Sequence, residues 1–442
     1  MIPNDVNNLW VIVAALLVFT MTIAVGFLEV GELGEDRWRS LLKTSIMTCM
    51  ALALMALLGF DLAFAPTIGS GFIGNPFYMQ PFLGGSSPNA PGILYGVWWS
   101  TNPSNTFGYF LGSASAPLAL STGTYFLFET AFAAVTFALV GVVMVKKVKI
   151  RAVALFAIPY FLLIWTLPAA WIWNPSGWLA RLGMVDFAGG LVVHAAAGAA
   201  GLAVVIQVWR EERARGLRES PQIPTKVDST WLTLSALLLW VGWFGFNPGS
   251  VLAFNSETTV VVLTTFLAAG VSFLSLMACR YWQTRRDPGY LYSANGILMG
   301  LIVITPLAGF VSPLSAVILG LLCGPLFLVA ERYISRAKWF SDPIGLFPGH
   351  LVGGLFGLLM IGVFAQNAFA TGSGYASLPN GLLFGGGVSA IHQIGLEAFG
   401  AAVVIAVVFA LSFVSIWLIA KALGGITRSG IPEGQSTLTG IH

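Results

Sequence analysis

The sequence predicts an all-α polytopic membrane protein with eleven transmembrane helices, and three observations lead to that prediction. Only 9% of the 442 residues are charged, against about 25% in ordinary soluble domains. Apolar stretches of about 20 residues, the length that crosses a bilayer as a helix, recur eleven times along the chain. Basic residues concentrate in every second connection, so the net charge of +3 reflects membrane topology and gives no indication of nucleic-acid binding.

The apolar stretches alternate in direction across the bilayer, and their connections set the orientation. They cover residues 9–31, 41–65, 119–145, 152–173, 186–209, 230–254, 257–279, 289–310, 313–331, 342–365 and 396–423. Nearly all basic residues follow stretches 1, 3, 5, 7 and 9 or lie at the C-terminal end, with Arg181 on the other side. The positive-inside rule therefore predicts an external N-terminus and a cytoplasmic C-terminus in the plasma or inner membrane. On the outer side, the uncharged connections 66–118 and 366–395 are expected to be ordered caps.

An internal repeat links the fifth and tenth stretches. Asp, Gly, His, Gly and Gly recur at the same offsets in "DFAGGLVVHAAAGAAG", Asp186 to Gly201, and "DPIGLFPGHLVGGLFG", Asp342 to Gly357. Because the two copies are an odd number of stretches apart, they cross the bilayer in opposite directions, as in the inverted repeats of transporters. We therefore predict a 5+5 inverted-topology repeat plus one extra C-terminal helix. The predicted organisation is a membrane domain at 1–425, with repeat 1 at 9–209, repeat 2 at 230–365 and an eleventh helix at 396–423, and a short cytoplasmic tail at 426–442.

The repeat carries a histidine in each copy, His194 and His350, eight residues after an aspartate. Eight helical residues correspond to roughly 12 Å of depth, so the two imidazoles approach the middle of the bilayer from opposite faces. Because the small residues around them permit close helix approach, the imidazoles are predicted to touch. Ionisable side chains at such a depth usually line a pathway or hold a cofactor. Asp186 and Asp342 are expected to cap their helices, and an asparagine at position 186 is expected to keep the cap.

Two other kinds of site compete with a pore for this histidine pair. A membrane oxidoreductase with a bis-histidine haem needs a roomy apolar slot, whereas glycine and alanine crowd this pair and the chain has no Cys-x-x-Cys-His. A metal site needs third and fourth ligands near the histidines, and the sequence offers none. A pore in which imidazoles form the only polar strip fits better. We expect no cofactor, no metal and no enzymatic activity.

The stretch "WVGWFGFNPGS", Trp240 to Ser250, adds a family resemblance. Together with "DFAGGLVVH", "FPGHLVGG", "NGILMGLIVIT" and "DP" it resembles the Amt branch of the ammonium transporter (Amt/Mep/Rh) family, over all eleven stretches. The resemblance implies transport of ammonium or ammonia for nitrogen uptake, after cation recruitment and deprotonation at an outer aromatic site. It also implies a homotrimer in the lipid bilayer with one pore per subunit. An ammonium sensor that does not conduct shares this scaffold and stays open as the alternative.

The resemblance also implies roles for individual residues. They are His194 and His350 as pore histidines, Phe132, Trp173, Ser250 and Asp186 as the outer recruitment site, and Phe132 and Phe246 as a phenylalanine gate. The chemistry agrees, since an aromatic face attracts a cation and a hydroxyl accepts one of the four N–H bonds of ammonium. A bare charge is costly in an apolar lumen, so neutral ammonia is expected to cross beside the histidines.

The chain departs from the family pattern at three places. Glu29 and Glu32 stand where an aromatic, glycine-rich stretch is usual, and the short tail lacks the acidic segment that would favour a PII-type regulator. Glu129 stands where glutamine is usual. It is either a protonated side chain that replaces the glutamine or a charged group that attracts cations. The lack of a basic residue within one turn in sequence favours the protonated form.

Overall fold

The structure, a computed structural model, has eleven helices long and apolar enough to cross a membrane among its described residues, which confirms the predicted number. The described residues are 3–76, 120, 122–216, 227–337, 342 and 345–428, so much of the connection 66–118 and of the tail 426–442 lies outside them. In chain order the helices are α1 Asp5–Leu33, α2 Arg37–Phe64, α3 Gly123–Val142, α4 Ile150–Ile172, α5 Gly190–Ala214, α6 Ser229–Gly249, α7 Ser256–Thr284, α8 Gly289–Leu307, α9 Pro313–Ile334, α10 Leu346–Phe364 and α11 Gly387–Leu423.

The predicted bounds are wrong mainly at the start of the last helix. α11 begins at Gly387, so the last part of the predicted connection 366–395 belongs to it. Glycine and polar residues in that part lower its apolarity, so it was not recognised as part of a transmembrane helix. His392, which was expected in the connection, is an exposed residue of α11. The connection itself contains a short helix, Asn367–Gly372, and a 3₁₀ turn, Leu382–Phe384.

The remaining short elements lie beside the helix ends. A two-stranded antiparallel hairpin, Thr67–Ile68 and Ile73–Gly74, follows α2, and a short helix, Trp178–Leu182, follows α4. The side chain of Asn174, just after α4, donates to the carbonyl oxygens of Ala63 and Ala65 at the end of α2. This packing fixes the chain just before α5.

The two halves of the inverted repeat interlock at the centre. α1 packs along α6, α7 packs against α8 and α9, and the first turns of α5 and α10 lie against each other. α11 packs on α5 and α10 from outside the repeats. Apolar side chains on the outer faces, such as Leu9, Leu274 and Leu418, are exposed, as expected for surfaces that contact lipid.

A buried ion pair joins α1, α2 and α3 at the end of α1. The Nζ of Lys43 lies 2.5 Å from the Oε1 of Glu29 and donates to the carbonyl oxygen of Gly141 at 3.1 Å. The hydroxyl of Ser40 donates to the other carboxylate oxygen at 3.2 Å. Glu29, which the family pattern left unexplained, therefore holds three helices together.

Candidate pore and vestibule

Both histidine-bearing helices begin after a glycine whose backbone is left-handed, Gly189 with φ of 108° and Gly345 with φ of 71°. Glycine adopts this conformation without the strain of a Cβ. The turn brings the Asp186 carboxylate under the first N–H groups of α5. Its Oδ1 accepts from Gly189 and Gly190 at 3.0 and 2.8 Å, and its Oδ2 accepts from the next two residues at 2.8 and 2.9 Å.

The second repeat uses the same cap. The Asp342 carboxylate accepts from the N–H groups of Leu346 at 2.8 Å and Phe347 at 2.9 Å, so the predicted capping role of both aspartates is confirmed. The expectation that asparagine at position 186 keeps the cap is therefore replaced by the prediction that asparagine weakens it. Both oxygens of Asp186 accept two N–H bonds each, and an amide NH₂ in place of one oxygen would face two donors.

The histidines lie in π-helical turns, Gly190–Ala195 in the first repeat and Leu346–Gly353 in the second. Such turns are rare and recur at functional sites. The Nδ1 atoms of His194 and His350 are 3.1 Å apart, so the predicted contact between the imidazoles is present. One nitrogen must donate and the other accept. Both rings are buried, and the Nε2 of His194 has no hydrogen-bond partner among the described residues.

Small residues let the two repeats approach closely at the histidines, as the sequence predicted. A Cβ on Gly198 would lie 2.7 Å from the Cβ of Leu351, the neighbour of His350. A Cβ on Gly354 would collide with the carbonyl oxygen of Gly190. Any larger side chain at these positions would separate α5 from α10.

A narrow cavity of about 20 Å³ lies beside the histidines, and we call it the pore cavity. It is lined by Met21, Val25, Leu28, Val135, Leu139, His194, Leu239, Trp243, Phe246, Leu298 and His350. Its volume suits about one water-sized molecule. Among these lining residues the two imidazoles are the titratable groups, and the other side chains are aliphatic, aromatic or methionine.

Trp243 is a residue of the pore cavity that sequence reasoning missed. Its ring stacks on His194 with centroids 5.5 Å apart, and Phe246 stacks on the same imidazole at 5.7 Å. The indole N–H donates to the hydroxyl of Thr305, which donates to the carbonyl oxygen of Leu301 at 2.7 Å. The sequence did contain a signal for Trp243. It is three residues before Phe246, so both side chains lie on the same face of the helix.

A second cavity of about 50 Å³ lies at the face where α3 and α5 begin, and we call it the vestibule. It is lined by Tyr125, Phe128, Glu129, Phe132, Trp173, Phe187, Ser250, Leu252 and Tyr375. Three residues of the recruitment site implied by the resemblance thus meet there. The rings of Phe132 and Trp173 are edge to face at 5.7 Å, and the hydroxyl of Ser250 donates to the carbonyl oxygen of Phe246 at 2.9 Å.

Two phenylalanines separate the vestibule from the pore cavity. Phe132 lines the first and Phe246 the second, and their ring centroids are 4.3 Å apart. Asp186 lines neither cavity, because its carboxylate is occupied by four backbone N–H groups. Its backbone carbonyl instead accepts the indole N–H of Trp173 at 2.8 Å. Its link to the vestibule is therefore through the position of Trp173.

The interlocked inverted repeats, with eleven spans and a histidine pair at the centre, define a multi-pass membrane transporter fold. The model of the Ammonium Transporter Family matches residues 9–433. The chain belongs to this family.

Relatives and solved structures agree over most of the chain. The ammonium transporter of Aquifex aeolicus is 31% identical over 368 residues, 81% of this chain and 77% of that protein. Amt1 of Archaeoglobus fulgidus is 28% identical over 88% of this chain and 87% of its own. The solved structure of a protein called "Sensor Amt Protein" has a TM-score of 0.77 and 26% identity, and covers 97% of this chain and 96% of its own. Saccharomyces cerevisiae Mep2, at 24% identity, shares the fold with a TM-score of 0.77, over 98% of this chain and 89% of its own.

Proposed function

We propose that this protein takes up ammonium nitrogen by recruiting the cation in the vestibule and passing neutral ammonia through the pore cavity. The observation that carries the proposal is the buried contact between His194 and His350 beside a cavity wide enough for only a small molecule. By the positive-inside rule the vestibule faces outward, so external ammonium would meet the recruitment site first.

Recruitment is assigned to the aromatic walls of the vestibule and to Ser250. Phe132 and Trp173 present π-systems to the cavity, and a cation against such faces gains roughly 0.5–2 kcal/mol. The Ser250 proton is directed at the carbonyl oxygen of Phe246, so the lone pairs of its oxygen are free to accept an N–H bond of ammonium.

Loss of a proton before the pore cavity follows from its apolar wall. Moving a bare ion from water into a low-dielectric medium costs on the order of 20 kcal/mol in the ideal limit and several kcal/mol in real proteins. Neutral ammonia avoids most of that cost. The Nε2 of His194, which has no partner among the described residues, gives the passing molecule one hydrogen-bonding group.

A proteoliposome experiment tests this function. An ammonium chloride pulse should produce uptake in vesicles that contain the protein, read as a change in internal pH with a trapped dye, and none in empty vesicles. A simultaneous current measurement distinguishes net charge movement from movement of ammonia alone. Equal responses from protein-containing and empty vesicles would rule out transport.

A non-conducting ammonium sensor is the second candidate, because one similar solved structure is of a protein called "Sensor Amt Protein". Saturable ammonium binding by the purified protein without uptake into proteoliposomes would select the sensor. Uptake would select the transporter.

The orientation can be tested with introduced cysteines in a variant whose three native cysteines are replaced. Ser377 and Gln283 are both exposed and lie on opposite faces, before α11 and at the end of α7. A cysteine at 377 should react with an impermeant thiol reagent on intact cells, and one at 283 only after permeabilisation. The reverse pattern would place the vestibule on the cytoplasmic side.

The assembly is proposed from the resemblance. A homotrimer with one pore per subunit should appear as three times the 47.0 kDa chain in native mass spectrometry. A monomer mass would overturn this expectation.

A further inference from the structure

A residue with a carboxyl group that the proposed function does not use belongs to the wall of the vestibule. Glu129 lines that cavity and is only 5% exposed. The hydroxyl of Tyr125 hydrogen-bonds to its carboxyl group, yet its Oε2 has no hydrogen-bond partner among the described residues. One carboxyl oxygen of a side chain that lines the vestibule is therefore buried without a hydrogen-bond partner among the described residues.

The described surroundings of this oxygen contain no positive charge. Aromatic rings make up most of the wall, and no lysine, arginine or histidine is among the described residues that line the vestibule. Asp186, the other nearby carboxylate, is occupied by four backbone N–H groups. The only charge that the described part of the vestibule can offer to a solute is thus negative.

A dehydrated carboxylate without a counter-ion is costly in a protein. A cation beside it removes that cost, and the faces of the surrounding rings, which carry negative electrostatic potential, attract the same cation. The combination suits a small cation that also donates hydrogen bonds. Ammonium, with four N–H groups, can bind a carboxylate oxygen, a hydroxyl and an aromatic face together.

We propose that the Glu129 carboxylate is a direct, charged ligand of ammonium in the vestibule, beside Trp173 and Ser250. This inference rests on the proposed function and adds to it a residue that sets the affinity for the cation. It selects the charged alternative for Glu129, whereas the sequence favoured a protonated stand-in for glutamine. The reason for the change is that Glu129 lines the vestibule and keeps one carboxyl oxygen without a partner among the described residues.

Titration of ammonium chloride against the purified full-length protein tests the proposal without depending on conduction. Binding is measured by calorimetry at one pH, with sodium chloride added to keep the ionic strength constant. Glu129→Gln keeps the size of the side chain and a hydrogen bond with Tyr125 but removes the charge, and should weaken ammonium binding at least tenfold. Glu129→Asp keeps the charge further from the cavity, and its affinity should lie between those of the wild type and Glu129→Gln.

Glu257→Gln is the matched control, because Glu257 begins α7 at the same membrane face and does not line the vestibule. It should bind ammonium as the wild type does, so a general change of surface charge can be recognised. Unchanged affinity in Glu129→Gln would overturn the role of Glu129 and leave the proposed function standing. If Glu129→Gln does not fold, wild-type affinity in Glu129→Ala, which removes the carboxyl group, would overturn the role of Glu129 equally. A wild type that neither binds nor takes up ammonium would refute the proposed function itself.

Discussion

Gly198→Ala should uncouple the histidine pair through a single added methyl group. The new Cβ would lie 2.7 Å from the Cβ of Leu351 and 3.3 Å from its Cα, whereas ordinary contact begins at 3.4 Å. Both atoms are fixed to the backbone of α10, so no change of rotamer can relieve the contact. α10 must therefore move away from α5 by about 0.7 Å.

This displacement is enough to break the contact between the imidazoles. His350 directly precedes Leu351 in the chain. If the whole displacement separates the two imidazoles, the distance between their Nδ1 atoms grows from 3.1 Å to about 3.8 Å, beyond the range of a hydrogen bond. Overpacking of this kind costs about 1–3 kcal/mol of stability. Misplacement of functional groups by about 1 Å can reduce rates up to a hundredfold, so we expect uptake to fall by at least about tenfold.

Thermal unfolding in detergent and ammonium uptake into proteoliposomes measure the two effects. Gly270→Ala is the matched control, because Gly270 lies in α7 with nothing within 4 Å of an added Cβ. Alanine should there raise helix stability slightly and leave uptake unchanged. If Gly198→Ala unfolds and transports like the control, close approach at this glycine does not hold the histidines together.

Three further predictions address the polar groups of the core. Alanine at His194 or His350 should abolish or alter uptake without unfolding, and the double variant should be no worse than the worse single one, whereas additive partial losses in the uptake assay would indicate two independent histidines. Lys43→Met should cost about 3–5 kcal/mol by leaving Glu29 buried without its partner, and adding Glu29→Leu should recover much of the melting temperature; no recovery would contradict a paired charge. Asp186→Asn should lower the melting temperature by nearly as much as Asp186→Ala, and wild-type stability would refute the four-bond cap.

The sequence was sufficient for the helices and for the relation between the two repeats. Length and apolarity determine which segments cross a bilayer. In both repeats the histidine follows the aspartate by eight residues, so His194 and His350 had to lie at equivalent depths from opposite faces of the bilayer. The contact between the imidazoles followed from the depth and from the small residues around them. Only the ends of helices were misjudged, as at Gly387, where the last helix continues beyond its apolar part.

The local geometry of the site was beyond the sequence. A π-helical turn adds one residue to a turn without a characteristic composition, so the turns around both histidines left no signal. The stacking of Trp243 on His194 depends on which faces of α5 and α6 meet. The environment of Glu129 depends on Tyr375, which is far away in the chain. These are contacts between distant segments, and periodicity within one helix does not contain them.

The two carboxyl groups near the vestibule have different roles: one stabilises the fold, and the other is proposed to bind the cation. Asp186 is the residue that the family pattern associates with the outer site, yet the described hydrogen bonds of its carboxylate all come from backbone N–H groups at the start of α5. Glu129 has an oxygen without a partner among the described residues. Of these two carboxyl groups, it is therefore the one that can form a new hydrogen bond with a solute. Changes at Asp186 should therefore reduce stability and, through it, all functions together. Changes at Glu129 should alter the affinity for ammonium in a protein that remains folded.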